Sequence, residues 1–385
     1  MIRTVTAFTE NIDDPGAAAA EIRAQLGRTE GLLKHAVGII ACHYEFVLSG
    51  TAKAVCESLP FEVAGTISST QAVNGGKGTL FLALLVLTSD DVSFKTGITG
   101  SLKSEPEKQI EAAYRSLSEG ARPAFMLAFG PFMVENSGDD YVTTLSRISG
   151  GVPCFGTLAV DDTTDFRECY MVYGGDHYRE QMALVLCYGD IHPKFYVASI
   201  SKDKLLDKAA LITSSEGHIL KEVNGKPVVE YFEDLGLTKA SETSYALASL
   251  PFMLDYGDGT PLVSKVFIGL NEQKHAICAG KMPEGSTLYM GVCDKEDVLL
   301  TTGKIIRQAL AETPHSSVMI GYSCISRSMT LGSDIFAEID LIQQENAGKL
   351  TTFLAYSGGE ICPTQINETA AINRFHNNAI VLCVF

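Results

Sequence analysis

The C-terminal stretch 317–385 holds the side chains whose types and spacing could do chemistry. Cys324 and Arg327 follow one apolar run, Glu338 lies in the helical segment after them, and Glu360 follows a second apolar run. A guanidinium matches a carboxylate with two parallel hydrogen bonds, which a lysine cannot do. A buried carboxylate needs a cation or hydrogen-bond donors to meet it. We therefore expect Arg327 to bind a ligand carboxylate and Glu338 or Glu360 to bind a ligand ammonium group.

Three further side chains complete the predicted ligand-binding set. Tyr356 lies just before a diglycine, and His376 and Asn377 precede the last apolar run, AIVLCVF. Tyr356 or Asn377 would add orienting hydrogen bonds to a small zwitterion. Asn377 also fits a turn cap, because Asn side chains commonly hydrogen-bond to their own backbone in turns.

Arg327 and Glu360 each fit a plainer role as well. Arg327 could pair with the nearby Asp334 or Glu338, since such ion pairs are common near helix termini. Glu360 could be a solvated carboxylate in a loop, because Glu is rarely buried without a partner. The sequence leaves these alternatives open.

Cys324 and His376 also suggest a different class of protein, a thiol-dependent hydrolase or transferase. In such an enzyme His376 would be the base for a Cys324 nucleophile, with Arg327 lowering the pKa of the thiol. A packed and unreactive Cys324 is the alternative, because free Cys is often buried as a small apolar residue. In the binding hypothesis no residue is catalytic, and we expect no metal and no cofactor. The chain has no CxxC, GxxxxGK[ST] or HExxH motif.

Two apolar runs must position these groups. SVMIGYS (317–323) and TTFLAYS (351–357) are typical of buried strands, and LGSDIFAEIDLIQQENA between them predicts a helix. Parallel strands joined by such a crossover place their carboxyl ends at one edge of a sheet, where ligands usually bind in open α/β folds. The sequence therefore predicts a site at these strand ends.

The order strand, helix, strand, turn, strand recurs three times. One copy starts at AVGIIAC (36–42), one at AFMLAFG (124–130) and one at SVMIGYS. The first two copies contain the similar short sequences VAGTI and CFGTL, which share Gly-Thr. This repeat predicts an α/β fold with mixed sheets built from strand-helix-strand-turn-strand units. Simple α/β alternation would give a similar order, because βαβ is a common unit.

The segment after residue 193 breaks this order. Asn224-Gly225 predicts a tight hairpin turn. The runs LVSKVFIGL, KHAICAGKM and STLYMGVC predict a three-strand meander, and a helix is expected from Lys295 to Leu310.

The same C-terminal stretch carries a family resemblance. The pattern Ser-Cys…Arg, Leu-Gly, a Glu in the next helix, Tyr-Ser-x-Gly-Glu-Ile and a late His-Asn resembles the FIST C domain, as does an earlier Thr-Ser…Gly…Asn-Gly-x-Pro passage. The resemblance covers roughly the whole chain, with 1–192 similar to FIST N and 193–385 similar to FIST C. It implies an intracellular sensory domain of signal transduction that binds small ligands such as amino acids, with the ligand site in the C-terminal domain. An unknown downstream signalling protein would receive the signal.

Length and charge set limits on this interpretation. A chain of 385 residues normally holds more than one core, and the break GDIHP near residue 192 predicts a two-domain division there. The formal net charge is −16, which argues against nucleic acid as a partner, because binding to phosphates needs clustered Lys and Arg.

We expect a cytoplasmic protein that does not enter a membrane. The start MIRTVTAFTENIDDPG lacks the apolar core of a signal peptide, and LFLALLVL is far shorter than the roughly 20 residues that cross a bilayer. The ten cysteines fit a reducing compartment.

Overall fold

The computed structural model describes residues 2–27, 31–133, 136–163, 166–237, 250–367 and 370–385. These residues form a mixed α/β fold in which one element order is repeated three times, as the sequence predicts. Each unit runs strand, helix, strand, helix, strand, hairpin and strand.

The first unit precedes residue 90 and the second follows it. The first comprises β1 (Ile2–Thr9), α1 (Pro15–Leu26), β2 (His35–Cys42), α2 (Tyr44–Leu48), α3 (Thr51–Glu57), β3 (Val63–Ile67), β4 (Gln71–Val73), β5 (Gly76–Gly78) and β6 (Leu82–Ser89). The second comprises β7 (Ser93–Ile98), α4 (Pro106–Ser118), β8 (Phe125–Gly130), α5 (Gly138–Ser149), β9 (Cys154–Leu158), β10 (Met171–Tyr173), β11 (Asp176–Tyr178) and β12 (Ala183–Tyr188).

The third unit opens with β13 (Lys194–Ala198) and is then interrupted by an inserted segment, residues 199–294. The insert comprises a short 3₁₀ helix (Lys202–Lys204), β14 (Ala210–Glu216), β15 (Ile219–Val223), β16 (Lys226–Pro227), α6 (Val228–Asp234), β17 (Phe252–Asp255), β18 (Val263–Lys265), β19 (Phe267–Leu270), β20 (Ala276–Cys278) and β21 (Thr287–Met290). The unit resumes with α7 (Lys295–Glu312), β22 (Val318–Cys324), α8 (Ile325–Leu331), α9 (Ala337–Asn346), β23 (Thr351–Ser357), β24 (Glu360–Gln365), β25 (Ala371–His376) and β26 (Ile380–Val384).

Each unit contributes four strands to its own six-stranded sheet and lends its hairpin to another unit. The sheet orders are β1-β6-β2-β3-β10-β11, β7-β12-β8-β9-β24-β25 and β13-β26-β22-β23-β4-β5. Within each sheet one central pair is parallel, namely β2 with β3, β8 with β9, and β22 with β23. The three hairpins are therefore exchanged in a cycle, and every unit depends on both of the others.

The carboxyl ends of the three parallel pairs meet and close this cycle. Ser68 Oγ donates to the carbonyl of Tyr356 at 2.8 Å, and the amide of Gly358 donates to the carbonyl of Leu158 at 2.9 Å. The third contact is longer, 3.4 Å from the amide of Val160 to the carbonyl of Ile67. The strand ends that the sequence singles out thus lie where the three units join.

The main hydrophobic core lies between the three sheets. It includes Ile39, Leu127 and Ile320, one from the central strand of each unit. The neighbouring side chain Ile40 points to the opposite face, where α1 and α3 cover the sheet. The central strands are buried on both faces, which explains their continuous apolar sequences.

The insert has its own sheet and its own core. Its strands run in the order β18-β17-β21-β14-β15-β20-β19, with β16 pairing to β15. The predicted turn is confirmed, because Asn224 and Gly225 both have positive φ and connect β15 to β16. The predicted meander is wrong, because β14 and β15 lie between β20 and β21.

A buried ion pair holds the insert against the second unit. Lys265 Nζ contacts Asp139 Oδ2 at 2.8 Å and donates to the carbonyl of Phe375 at 2.7 Å, and the Lys265 side chain is fully buried. The amide of Lys281 also donates to Asp139, at 2.7 Å. A lysine buried this deeply needs such partners, because desolvation strongly disfavours an isolated charge.

Candidate functional site

Arg327 and Glu338 bind each other inside the protein. Arg327 Nε and Nη2 donate to Glu338 Oε1 at 3.0 and 2.8 Å, and both side chains are at most 1% exposed. Nη1 donates to the carbonyl of Ser199 at 3.1 Å, and Nη2 also donates to Val298 O at 3.0 Å and to Thr302 Oγ1 at 2.8 Å. The structure therefore gives Arg327 the partner that the sequence left as its alternative, and Asp334 pairs with Lys295 instead.

Arg327 and three hydroxyl donors stabilise Glu338 in its charged form. Its oxygens accept hydrogen bonds from Thr302 Oγ1 at 2.5 Å, Ser323 Oγ at 2.7 Å and Tyr356 Oη at 3.1 Å. Burial by itself would raise the pKa of Glu338, but the charge of Arg327 and these donors outweigh it and lower the pKa. Arg327, Glu338 and Tyr356 thus form one closed network, and a void that adjoins Glu338 and Tyr356 has a volume of about 10 Å³.

Glu360 is fully buried and lies beside Cys324, so it is not the solvated loop carboxylate that the sequence also allows. Ser357 Oγ donates to Glu360 Oε1, while Oε2 has no hydrogen-bond partner in the described part of the chain. Burial raises the pKa of Glu360 well above its usual range, and Ser357 and Arg327 offset this only in part. Burial likewise raises the pKa of the Cys324 thiol to about 12, with Glu360 adding to the effect. This environment disfavours a reactive thiolate.

His376 is buried and neutral. It lies opposite Glu360 in the β24–β25 ladder, and its Nε2 is 3.0 Å from Thr364 Oγ1. Burial and the charge of Lys265 lower the pKa of His376 to about 3. The contact of His376 Nε2 is thus with Thr364, whereas Cys324 lies beside Glu360 and Ser326.

Asn377 connects the third unit to the insert. Its backbone amide donates to the carbonyl of Ser264 at 3.0 Å, while its side-chain Oδ1 has no partner among the residues that the structure describes. Asn377 is buried. The predicted site residues thus converge in one region, with their charged groups turned inward.

A cavity of about 770 Å³ lies next to this region, between the insert and the third unit. We name it the β13 cavity, because β13 and the residues just after it form one wall. It is lined by Phe195, Tyr196, Val197, Ala198, Ser199, Ile200, Lys202, Leu205, Met253, Asp255, Gly259, Thr260, Pro261, Leu262, Ser264, Thr301, Ile305, Gln308, Pro363, Thr364, Gln365, Ile366 and His376. Of the predicted ligand-binding residues, His376 lies in this lining.

The Arg327–Glu338 network contacts two residues that form a wall of the β13 cavity. Ser199, whose carbonyl accepts from Arg327, lines the cavity, and so does Thr301, whose hydroxyl lies 3.3 Å from Arg327 Nη2. The guanidinium therefore positions β13 and α7 relative to each other. Sequence reasoning missed the insert's share of the lining, Asp255, Thr260 and Ser264, because these residues lie in no motif.

Within the described ranges, no group of three or more His, Cys, Asp or Glu side chains could hold a metal ion. No helix in the described part of the chain is long and apolar enough to cross a membrane.

Comparison with known families decides the identity of the chain. The profile of the FIST N domain matches residues 36–226, and that of the FIST C domain matches residues 227–363. The chain belongs to the FIST family. FIST domains are sensory domains of signal transduction, and this membership supports a sensory role for the protein. The two profiles meet at residue 226, within the insert, and the domain boundary near residue 192 stays a prediction.

The FIST protein has no significant match among curated proteins. Among solved structures it is similar to a cyanuric acid hydrolase from A. caulinodans, with 9% identity, a TM-score of 0.38, and coverage of 100% of this chain and 99% of that one. It is also similar to a chorismatase, with 10% identity, a TM-score of 0.33, and coverage of 99% and 97%. Likeness at this level does not transfer an activity.

Proposed function

We propose that this FIST protein is a cytoplasmic sensor that binds a small polar ligand, an amino acid or another small zwitterion, in the β13 cavity. A separate signalling protein would receive the signal. The β13 cavity carries the proposal, because its volume of about 770 Å³ falls within the range of roughly 300–1,000 Å³ that is typical of small-molecule sites. Its lining is mainly apolar, with a few polar groups, as such sites require.

The proposal assigns new partners to the two charges of the ligand. Asp255 and Lys202 are the ionised side chains of the cavity lining, so Asp255 would take the ammonium group and Lys202 the carboxylate. Arg327 and Glu338 satisfy each other, and their role is to hold the cavity wall. His376 would contact the ligand through the polar end that it shares with Thr364 and Ser264.

Isothermal titration calorimetry with the twenty standard amino acids tests this proposal. We expect saturable heat with at least one amino acid for the wild type. Leu262→Trp should abolish that heat, because Leu262 lines the β13 cavity and the indole would fill it. Leu211→Trp is the matched control, since Leu211 is an exposed residue of the insert that lies outside the cavity lining.

Two outcomes would contradict the proposal. The first is the absence of heat with every amino acid, and the second is unchanged binding in a folded Leu262→Trp variant. Iodoacetamide labelling separates the enzyme hypothesis from the sensor: the raised pKa of Cys324 predicts slow labelling at neutral pH, whereas fast and selective labelling of Cys324 would favour the thiol enzyme.

A further inference from the structure

Three hydroxyl groups of the β13 cavity lining direct their protons into the protein. Ser199 Oγ donates to the carbonyl of Asn378 at 2.9 Å, and Thr260 Oγ1 donates to Asp258 Oδ1 at 2.6 Å. Thr301 Oγ1 donates to the carbonyl of Asp297 at 2.8 Å. A hydroxyl has a single proton and two lone pairs. Once the proton is used inside the protein, only acceptor capacity remains for the cavity.

Thr364 also keeps acceptor capacity, whichever nitrogen of His376 carries the proton. Burial lowers the pKa of His376 to about 3, so the imidazole is neutral at physiological pH and has one N–H. Across the 3.0 Å contact between Thr364 Oγ1 and His376 Nε2, the hydroxyl uses either its proton or one of its two lone pairs. In both cases Thr364 keeps a lone pair as an acceptor.

Two more groups add to this pattern. Asp255 is a lining residue whose Oδ1 accepts from the amide of Gly257 at 2.8 Å, which leaves its second carboxylate oxygen as an acceptor. Ser264 is 1% exposed and lines the cavity, and its Oγ has no hydrogen-bond partner among the described residues, so it can accept or donate. A buried hydroxyl without a partner costs free energy until a ligand or a water meets it. The cavity is therefore rich in acceptors. Among its described lining residues, the hydroxyls of Ser264 and Tyr196 have no partner, and the one Lys or Arg, Lys202, is exposed.

The rest of the lining is apolar and suits a hydrocarbon body. Met253, Leu262, Ile305 and Ile366 come from the insert, α7 and the end of β24, and Phe195 comes from β13. Burying a hydrocarbon group against such side chains removes apolar surface from water and so stabilises a complex.

We propose that the β13 cavity recognises a primary ammonium group on an apolar body, and that a carboxylate on the ligand is dispensable. This inference rests on the proposed function and narrows its ligand class from zwitterions to primary amines. The net charge of −16 acts in the same direction, because an acidic protein attracts cations and repels anions over its surface.

Matched probes test this inference by calorimetry. One set is L-leucine, 3-methylbutylamine and 4-methylpentanoate, and the other is L-phenylalanine, phenethylamine and 3-phenylpropanoate. Each set keeps the apolar body while it removes the carboxylate or the amino group. We expect each amine to bind about as tightly as its amino acid. Each carboxylate should bind at least ~100-fold more weakly, because a site whose acceptors are placed to bind the N–H groups of a ligand rejects analogues that lack those groups.

Variants of two residues identify the acceptors. Thr364→Val keeps the shape of the side chain and removes the oxygen, and it should weaken amine binding about tenfold, the effect of losing one hydrogen bond. Thr364→Ser keeps the hydroxyl and should bind as the wild type does. Asp255→Asn gives a second readout that does not disturb His376, and it should also weaken amine binding.

The outcomes separate this inference from the proposed function. Binding of the carboxylates in preference to the amines, with sensitivity to Leu262→Trp, would overturn the amine inference and leave the cavity as the ligand site. Amine binding that is unchanged in both Thr364→Val and Asp255→Asn would also overturn the inference. The absence of binding for every probe would overturn both.

Discussion

At the scale of single residues, Arg327 and Glu338 form a buried ion pair. The residue types suggest recognition of a zwitterion, and the structure satisfies the two charges with each other and with Thr302, Ser323 and Tyr356. A buried ion pair of this kind gains little net stability over an apolar pair, but removing one partner leaves a charge without compensation. Its role here is to fix the relative positions of α7, α8, α9 and β13.

We therefore expect Arg327→Met to lower the free energy of unfolding by about 3–5 kcal/mol, because Glu338 is then left buried and charged. Adding Glu338→Gln should recover about 2 kcal/mol of this loss, since the amide is neutral and still accepts hydrogen bonds. Urea unfolding followed by circular dichroism measures both values. Lys295→Met is the control: it removes the exposed Lys295–Asp334 pair and should leave the urea midpoint close to that of the wild type, because exposed ion pairs contribute little to stability. Strictly additive effects of the two buried substitutions would contradict this account.

At the scale of secondary-structure elements, the Gly-Thr motif shared by VAGTI and CFGTL lies where two parallel strands approach each other closely. A Cβ atom on Gly65 would lie 1.9 Å from the carbonyl oxygen of Ile40, and one on Gly156 would lie 1.8 Å from that of Ala128. Both glycines lie in the second strand of a parallel pair, Gly65 in β3 and Gly156 in β9. The repeated motif thus reflects one packing requirement in two units, which is why it is visible in the sequence.

Gly156→Ala should destabilise the protein by about 3 kcal/mol, because the obstacle is backbone that cannot move without breaking the ladder. Gly269→Ala provides the control, since a Cβ atom there would meet nothing within 4 Å. Thermal unfolding of the two variants and the wild type gives the comparison. If Gly156→Ala unfolds at the wild-type temperature, the close approach has no energetic importance.

At the scale of the whole molecule, the exchange of hairpins ties distant parts of the chain together. The first unit places β4 against β23 of the third unit, and the third unit places β24 against β9 of the second. Residues before position 192 therefore complete a sheet after it, and residues after it complete a sheet before it. The predicted boundary near residue 192 divides the sequence into two regions whose sheets share strands.

We expect a fragment of residues 1–192 to lack cooperative unfolding by itself, because its edge strand β9 has lost β24 and its own hairpin has lost β23. Co-expression with residues 193–385 should restore a folded complex. Urea unfolding of the separate fragment and of the co-purified pair tests this. A sharp transition in the separate fragment, matching that of the full chain, would show that the exchanged hairpins are not needed for folding.

The sequence alone determined the features that depend on neighbouring residues. These are the three repeated units, the tight turn at Asn224-Gly225, the helix that starts at Lys295, and the convergence of Cys324, Arg327 and Glu360 at the ends of parallel strands. Hydrophobic periodicity and turn chemistry act over a few residues, so their effects can be seen in a single sequence.

Tertiary structure alone decided which groups meet. The partner of Arg327, the burial of Glu360, the order of strands in the insert and the β13 cavity all depend on contacts between residues far apart in the chain. The charge and hydrogen-bonding state of Arg327, Glu360 and His376 follow from burial and from those partners. For this reason the sequence could place the chemical groups at the correct strand ends, while only the folded chain showed which of them pair with each other and which face a cavity.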